Sequence, residues 1–236
     1  NPLTVAPVLE LSTADYMTLR HLTLTGGTHG LYAHNSSTNL AASNIDAISN
    51  ALGGILIDTG SSALGLDHLK ADQNNGVGIQ VDGLLASLTD SIASNNRNKG
   101  IYLINTGATR LEANDVFNNT GNSAYGIYIS NNIAGSPLVV GNADLSLSRG
   151  NRVHDNSPSG IYANGNVIVA GNTVYNHSSG YGVYAHGGAT VVNNVVFDNV
   201  NGVYSNSEEI RGNRVYHNTD SGISVGGSPS ITGNVI

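Results

Sequence analysis

Along most of the chain, small or apolar residues alternate with polar or aromatic ones in runs of five, and each run opens on glycine. "GIYAN" at 160–164 returns as "GVYAH" at 182–186 and "GVYSN" at 202–206. Related runs begin at Gly30, Gly54, Gly78, Gly100, Gly126 and Gly222, which makes nine, spaced 20 to 26 residues apart except for one gap of 34. Self-similarity at such a period marks a stacked repeat architecture.

Within the run, the second position reads Leu31, Ile55, Ile79, Ile101, Ile127, Ile161, Val183, Val203 and Ile223. The fourth is also small or apolar, from Ala33 and Ile57 to Ala185, Ser205 and Val225. One apolar face at period two predicts a half-buried strand, and the β-branched residues suit it. A second short strand is expected at 167–169 and at 190–192. A corner follows, on Gly150-Asn151, Gly171-Asn172, Asn193-Asn194, Gly212-Asn213 and Gly233-Asn234. Gly and Asn tolerate the positive φ of a sharp turn. Two residues past each of the first four Asn comes a valine, Val153, Val174, Val196 or Val215, which opens a third strand. No stretch has a helical period long enough for a helix-bearing solenoid.

Three strands and three corners close a coil of roughly 22 residues. Stacked coils about 4.8 Å apart form a parallel β-helix, here a single all-β domain over 1–236 with about nine to ten coils and three parallel sheets. Equivalent residues then lie above one another, so the corner asparagines are expected to stack their side-chain amides, donor to acceptor.

The pattern G-I-x-V, an apolar pair, then G-N-x-V-x-x-N resembles the right-handed parallel β-helix repeat of the pectate-lyase-like superfamily, from about Leu19 to the end. That superfamily includes pectate lyases, polygalacturonases, alginate epimerases and lyases, phage tailspikes and non-catalytic surface modules. The resemblance implies right-handed coiling and an outward sheet face that meets polysaccharide. Many of its enzymes begin with a capping helix, whereas residues 1–27 read as further strand, and "ITGNVI" stops within a coil. The expectation is a piece excised from a longer chain, with neighbouring coils or domains at both ends.

Composition narrows the setting. Charged residues make up 11% of the chain, against about 25% in ordinary soluble domains. Nine Lys and Arg, scattered under a net charge of −7, form no basic stripe for nucleic acid. No apolar run is long enough to insert as a membrane helix. Without cysteine there is no disulfide framework and no thiolate metal site. A low-charge chain rich in Gly, Asn, Ser and Thr suits a secreted or cell-surface bacterial protein.

Candidate chemistry falls on the outward positions. The third position reads Tyr32, Leu56, Gln80, Tyr102, Tyr128, Tyr162, Tyr184, Tyr204 and Ser224, so six of the 11 tyrosines share one column. Like rings at sheet spacing pack on one another. A row of rings with polar rims also suits carbohydrate, which makes Tyr102, Tyr128, Tyr162, Tyr184 and Tyr204 candidate binding residues. The fifth position brings His34, Asp58 and Asp82 onto successive rungs. Carboxylates about 5 Å apart stand as a solvated pair, as a Ca²⁺ site completed by Gln80 and loop carbonyls, or as the acid and base of a glycosidase. Ca²⁺ is the one cofactor these residues suggest. "GYGVYAH" at 180–186, with Tyr181, Tyr184 and His186, loosely resembles the Tyr/Asp/His segment of alginate epimerases, with Tyr184-Ala185 where the Asp and its neighbour would stand and His186 or Tyr184 as candidate base. The long gap predicts a loop over 131–144 that walls a groove beside Tyr128 and Tyr162, or whose Leu138, Val139 and Val140 cover an exposed edge. The favoured expectation is a non-catalytic rigid spacer with a polysaccharide-binding tyrosine face. The alternative is a polysaccharide lyase, C5-epimerase or glycoside hydrolase using Asp58, Asp82, His34 or His186.

Overall fold

The computed structural model describes residues 6–142, 149–206 and 208–236. Among them there is no helix, and the chain winds as a right-handed parallel β-helix. Ten strands, from Leu9–Ser12, His29–His34 and Gly53–Ile57 up to Tyr181–His186, Asn201–Ser205 and Ser221–Val225, pair in parallel, in sequence order, and make the first face. The lowest of them lacks the opening glycine, so the repeat motif shows nine of the ten rungs.

The other two faces are continuous at the N-terminal end. Thr18–Thr25 and Leu40–Ile48 each run across both and bend at His21 and Asn44, where φ is 53° and 54°. Higher up they separate. Arg110–Glu112, Leu138–Gly141, Val167–Ala170 and Thr190–Val192 belong to the second face. Asp115–Phe117, Arg152–His154, Thr173–Tyr175, Val195–Phe197 and Arg214–Tyr216 belong to the third.

Register is in phase from rung to rung: Ile101, Ile127, Ile161 and Val183 lie in one line, and Tyr102, Tyr128, Tyr162 and Tyr184 in the next. The expected inward columns are buried, Ile161 and Ala163 completely, while Tyr162 and Asn164 face outward. The last rung departs from this. Val225 is 43% exposed because no described coil covers it.

The corner between the second and third faces is the predicted amide ladder. Asn114, Asn151, Asn172, Asn194, Asn213 and Asn234 pass Nδ2–H to the next Oδ1 at 2.9–3.0 Å. Each Oδ1 also accepts the backbone N–H of the asparagine one coil below, as Asn172 does from Asn151. The other Nδ2 hydrogen goes to a strand carbonyl, as from Asn172 to Val140. The amide's hydrogen-bonding capacity is therefore met inside a dry interior. Positive φ falls on the residue just before, as at Gly171, Asn193 and Gly212.

A second ladder, on the last Asn of the G-N-x-V-x-x-N pattern, turns the chain from the third face back to the first. It holds Asn50, Asn74, Asn96, Asn119 and Asn156, then His177, then Asn199 and Asn218.

This second ladder explains the glycine that opens each repeat. A Cβ on Gly182 would lie 2.8 Å from Asn199 Nδ2, 2.6 Å from Val196 Cγ1 and 3.0 Å from the Gly202 carbonyl oxygen. Gly78, Gly100, Gly126 and Gly202 meet their own ladder amides at 2.6 to 2.9 Å. The glycine is a spatial requirement, since any side chain would push the amide out of line. Gly182→Ala is therefore expected to lower stability by about 1–3 kcal/mol, the usual range for overpacking. Urea denaturation followed by circular dichroism checks this, and an unchanged midpoint would refute it.

The long gap is not one loop. Leu138–Gly141 holds its place on the second face, with Leu138 and Val140 fully buried in the core. The extra residues fall on either side, at 132–137 and between Gly141 and Asn151, where 143–148 lie outside the described residues. Leu138 and Val140 thus neither wall a groove nor cover an edge. The first insertion stays at the corner after the first face, where Asn166 Nδ2 donates to the carbonyls of Ile133 and Gly135.

Candidate functional site

The first face presents three outward columns. Two are the third and fifth positions of the repeat. The remaining one lies just ahead of the glycine and holds His29, Gly53, Val77, Lys99, Tyr125, Ser159, Tyr181, Asn201 and Ser221.

Tyr128, Tyr162, Tyr184 and Tyr204 stack nearly parallel, with centroids 4.2, 5.7 and 4.8 Å apart in turn and planes within 11°. Tyr102 closes the lower end edge-on to Tyr128 at 5.2 Å. Tyr125 and Tyr181 lean on the row at tilts of 53–67°. Stacking of this kind uses up the ring faces, so ladder packing is present. What the row offers to solvent is its edges and hydroxyls, not the flat platform expected for a sugar ring. A second stacked column, Phe117, His154, Tyr175, Phe197 and Tyr216, runs up the third face at 4.9–5.1 Å spacing.

Two groups give the tyrosine row polarity. Lys99 Nζ lies 4.9 Å from the Tyr102 ring centre and 5.2 Å from that of Tyr128, a cation against two π faces. Burial lowers its pKa from the ordinary lysine value. Further up, His186 Nε2 meets the Tyr162 hydroxyl at 2.5 Å. Burial pushes the Tyr162 phenol well up, and a hydrogen bond with Tyr128 adds to this. Burial also lowers the pKa of His186, which favours the neutral imidazole.

The lower part of the face holds the other candidates, and it disperses them. His34 Nε2 pairs with Glu10 Oε1 at 2.7 Å, and its ring stacks on Tyr32 at 4.4 Å. Asp58 accepts the Tyr32 hydroxyl at 3.0 Å and the Thr59 N–H at 2.7 Å. Asp82 Oδ2 accepts from Gln80 Nε2 at 2.9 Å, while its Oδ1 is buried with no partner. Burial raises the pKa of Asp82, the Gln80 hydrogen bond opposes that, and the charge of Asp58 adds to it. Asp58 and Asp82 thus feel one another, but His34 is engaged elsewhere. Among the described residues, no three His, Asp or Glu side chains converge as a metal centre. Gln80, suggested as a Ca²⁺ ligand, presents its amide nitrogen to Asp82, which a cation would repel.

The repeat geometry has counterparts among known proteins. No curated protein matches the chain. Among solved structures, the Mannuronan C-5 epimerase AlgE4 A-module of Azotobacter vinelandii is similar at 12% identity and a TM-score of 0.45, over 91% of this chain and 70% of that one. The family described as "Right handed beta helix region" matches residues 8–144 and again 117–236. In-phase parallel coils, two corner ladders and a match over nearly the whole sequence agree: the chain belongs to the right-handed β-helix family.

Proposed function

We propose that the protein is a non-catalytic polysaccharide-binding module whose glycan lies along the first face, across the rungs of Tyr102 to Tyr204. The observation that carries this reading is the stacked tyrosine row, which sets a line of phenol edges at rung spacing with Lys99 at its lower end and His186 on Tyr162 at its middle. A fixed line of hydroxyls suits a polymer of hydroxyl-bearing rings, and stacking removes the entropy cost of ordering each side chain.

Catalysis on a uronate needs a base and a carboxylate neutraliser acting on the same sugar. Here the neutral His186 and the cationic Lys99 are separated by the thickness of the Tyr128 and Tyr162 rings. The acids on the lower face are tied to Tyr32 and Gln80. One contact favours a second reading, lyase or epimerase: the His186–Tyr162 pair has the geometry of a base poised on a phenol. Product formation from a uronate polymer that His186→Gln abolishes would establish it.

The binding reading is tested with Tyr162→Phe combined with Tyr184→Phe, which keeps the stack and removes two hydroxyls. Each hydrogen bond contributes about 0.5–1.5 kcal/mol. Retention on an insoluble polysaccharide retained by the wild type is expected to weaken about tenfold, with only a small fall in melting temperature from the lost Tyr162–His186 hydrogen bond. Undiminished retention would show that the hydroxyl row does not hold the glycan.

A further inference from the structure

The first face is not flat. The column ahead of the repeat glycines carries Gly53 between His29 and Val77, and with no side chain there a depression opens. Its volume is about 200 Å³, and His29, Leu52, Leu56, Val77, Gln80 and Asn98 surround it. It adjoins the tyrosine row, because Gln80 lies directly beneath Tyr102 in the sheet register. Pockets for whole drug-sized ligands begin near 300 Å³, so the space suits one unit of a longer ligand.

The lining is mixed but uncharged. Leu56 and Val77 give an aliphatic surface, and Leu52 is 56% exposed at the edge. Gln80 uses its Nε2 on Asp82, which leaves Oε1 as an acceptor. Asn98 Oδ1 takes the Lys99 N–H at 2.9 Å, which leaves its Nδ2 as a donor. His29 is half-buried, and burial keeps it neutral by lowering its pKa. Asp82 and Asp58 stand behind Gln80 and disfavour an anion. A fully hydroxylated ring face would leave hydroxyls unpaired against leucine and valine. A methyl group would fill that space, with its polar neighbours meeting Gln80 and Asn98.

We propose that this depression is a subsite for one neutral pyranose bearing a methyl group, either a deoxy sugar or an acetylated one, within a glycan lying along the first face. The proposal rests on the polysaccharide reading and specifies the glycan that reading leaves open. Burying one methyl raises affinity about fourfold.

Saturation-transfer NMR on the whole chain tests it, with free fucose, N-acetylglucosamine and glucose as probes. Saturation is expected to concentrate on the deoxy methyl or on the acetyl methyl, and the stronger signal identifies the source. The preferred sugar should bind about fourfold more tightly than glucose. Two variants place the signal. Gly53→Ser fills the depression, although its Cβ would sit 3.0 Å from the Val77 carbonyl oxygen and 3.1 Å from the His29 ring. Leu56→Asp changes an outward side chain and leaves the core alone. Each should remove the methyl signal, while the Tyr162→Phe/Tyr184→Phe protein should keep it. Equal saturation of glucose, a methyl signal that survives both variants, or no binding of any probe would overturn the subsite. A methyl signal without retention of any polysaccharide would sink the module reading alone and leave the subsite standing.

Discussion

Asn172→Leu is expected to destabilise the coil stack by about 3–5 kcal/mol, the largest loss from any single substitution considered. Asn172 is fully buried, and its side chain serves groups in three coils. It accepts the backbone N–H and the Nδ2–H of Asn151 at 3.1 and 2.9 Å, and it donates to Val140 and Asn194 at 2.8 and 3.0 Å. Leucine nearly matches its shape but leaves these partners unmatched. Each buried polar group left without a partner costs about 1–3 kcal/mol, and a chain of polarised amides loses more than its pairs suggest. Asn234, at the upper end of the ladder, lies half-buried and serves fewer partners. Asn234→Leu should therefore cost well under half as much. Urea unfolding of the two variants side by side checks this. Equal losses would mean that the ladder does not act as a connected chain.

The second large effect concerns pH. His177 interrupts the other ladder and is 1% exposed. Its Nδ1 lies 3.2 Å from the Asn156 backbone nitrogen and 3.1 Å from the Asn156 carbonyl oxygen, and its Nε2 is buried without a partner. Burial lowers its pKa from 6.5 to about 4, against a smaller opposing pull from the Asn156 and Val153 carbonyls. The folded state therefore holds this imidazole neutral, while the unfolded chain protonates it near the ordinary value. The stabilisation is complete above about pH 6.5 and is lost as pH falls from there through about 4. The shift corresponds to about 3 kcal/mol. His177→Asn restores the amide and should remove that slope, so the gap in stability between variant and wild type widens steadily on acidification. A constant gap between pH 7 and pH 4 would rule out His177 as the source.

The first ladder could be read from the sequence because its turn residue is usually glycine and a valine follows at a fixed distance, as in Gly171-Asn172-Thr173-Val174. The second is the last Asn of the same G-N-x-V-x-x-N pattern, as at Asn156 and Asn218, but spacing alone does not say that its side chain turns inward. Its left-handed turn is filled by Asn118, Asp155, Asn176, Asp198 and His217, and one of its members is a histidine. Any polar residue that tolerates positive φ serves there, so the spelling drifts while the geometry does not. Lys99 and Tyr125 were missed for a different reason. They precede the repeat glycine, so a frame that opens on that glycine excludes them. The tyrosine column itself was plain at period two, but ring tilt is set by neighbours across rungs, and no single repeat encodes it. The pairing of His34 with Glu10 was also out of reach, because Glu10 lies on the one rung without the glycine signature. The third-face aromatic column sits one residue past each of Val153, Val174, Val196 and Val215, and it was available to any reader who extended the frame that far.

Both amide ladders point the same way, with each Nδ2–H directed toward the C-terminal neighbour. The stack therefore has a chemical direction that its backbone alone does not impose. Each asparagine gives an amide hydrogen to the coil after it and its oxygen to the coil before it, so a coil inserted the other way up would set donor against donor along both corners.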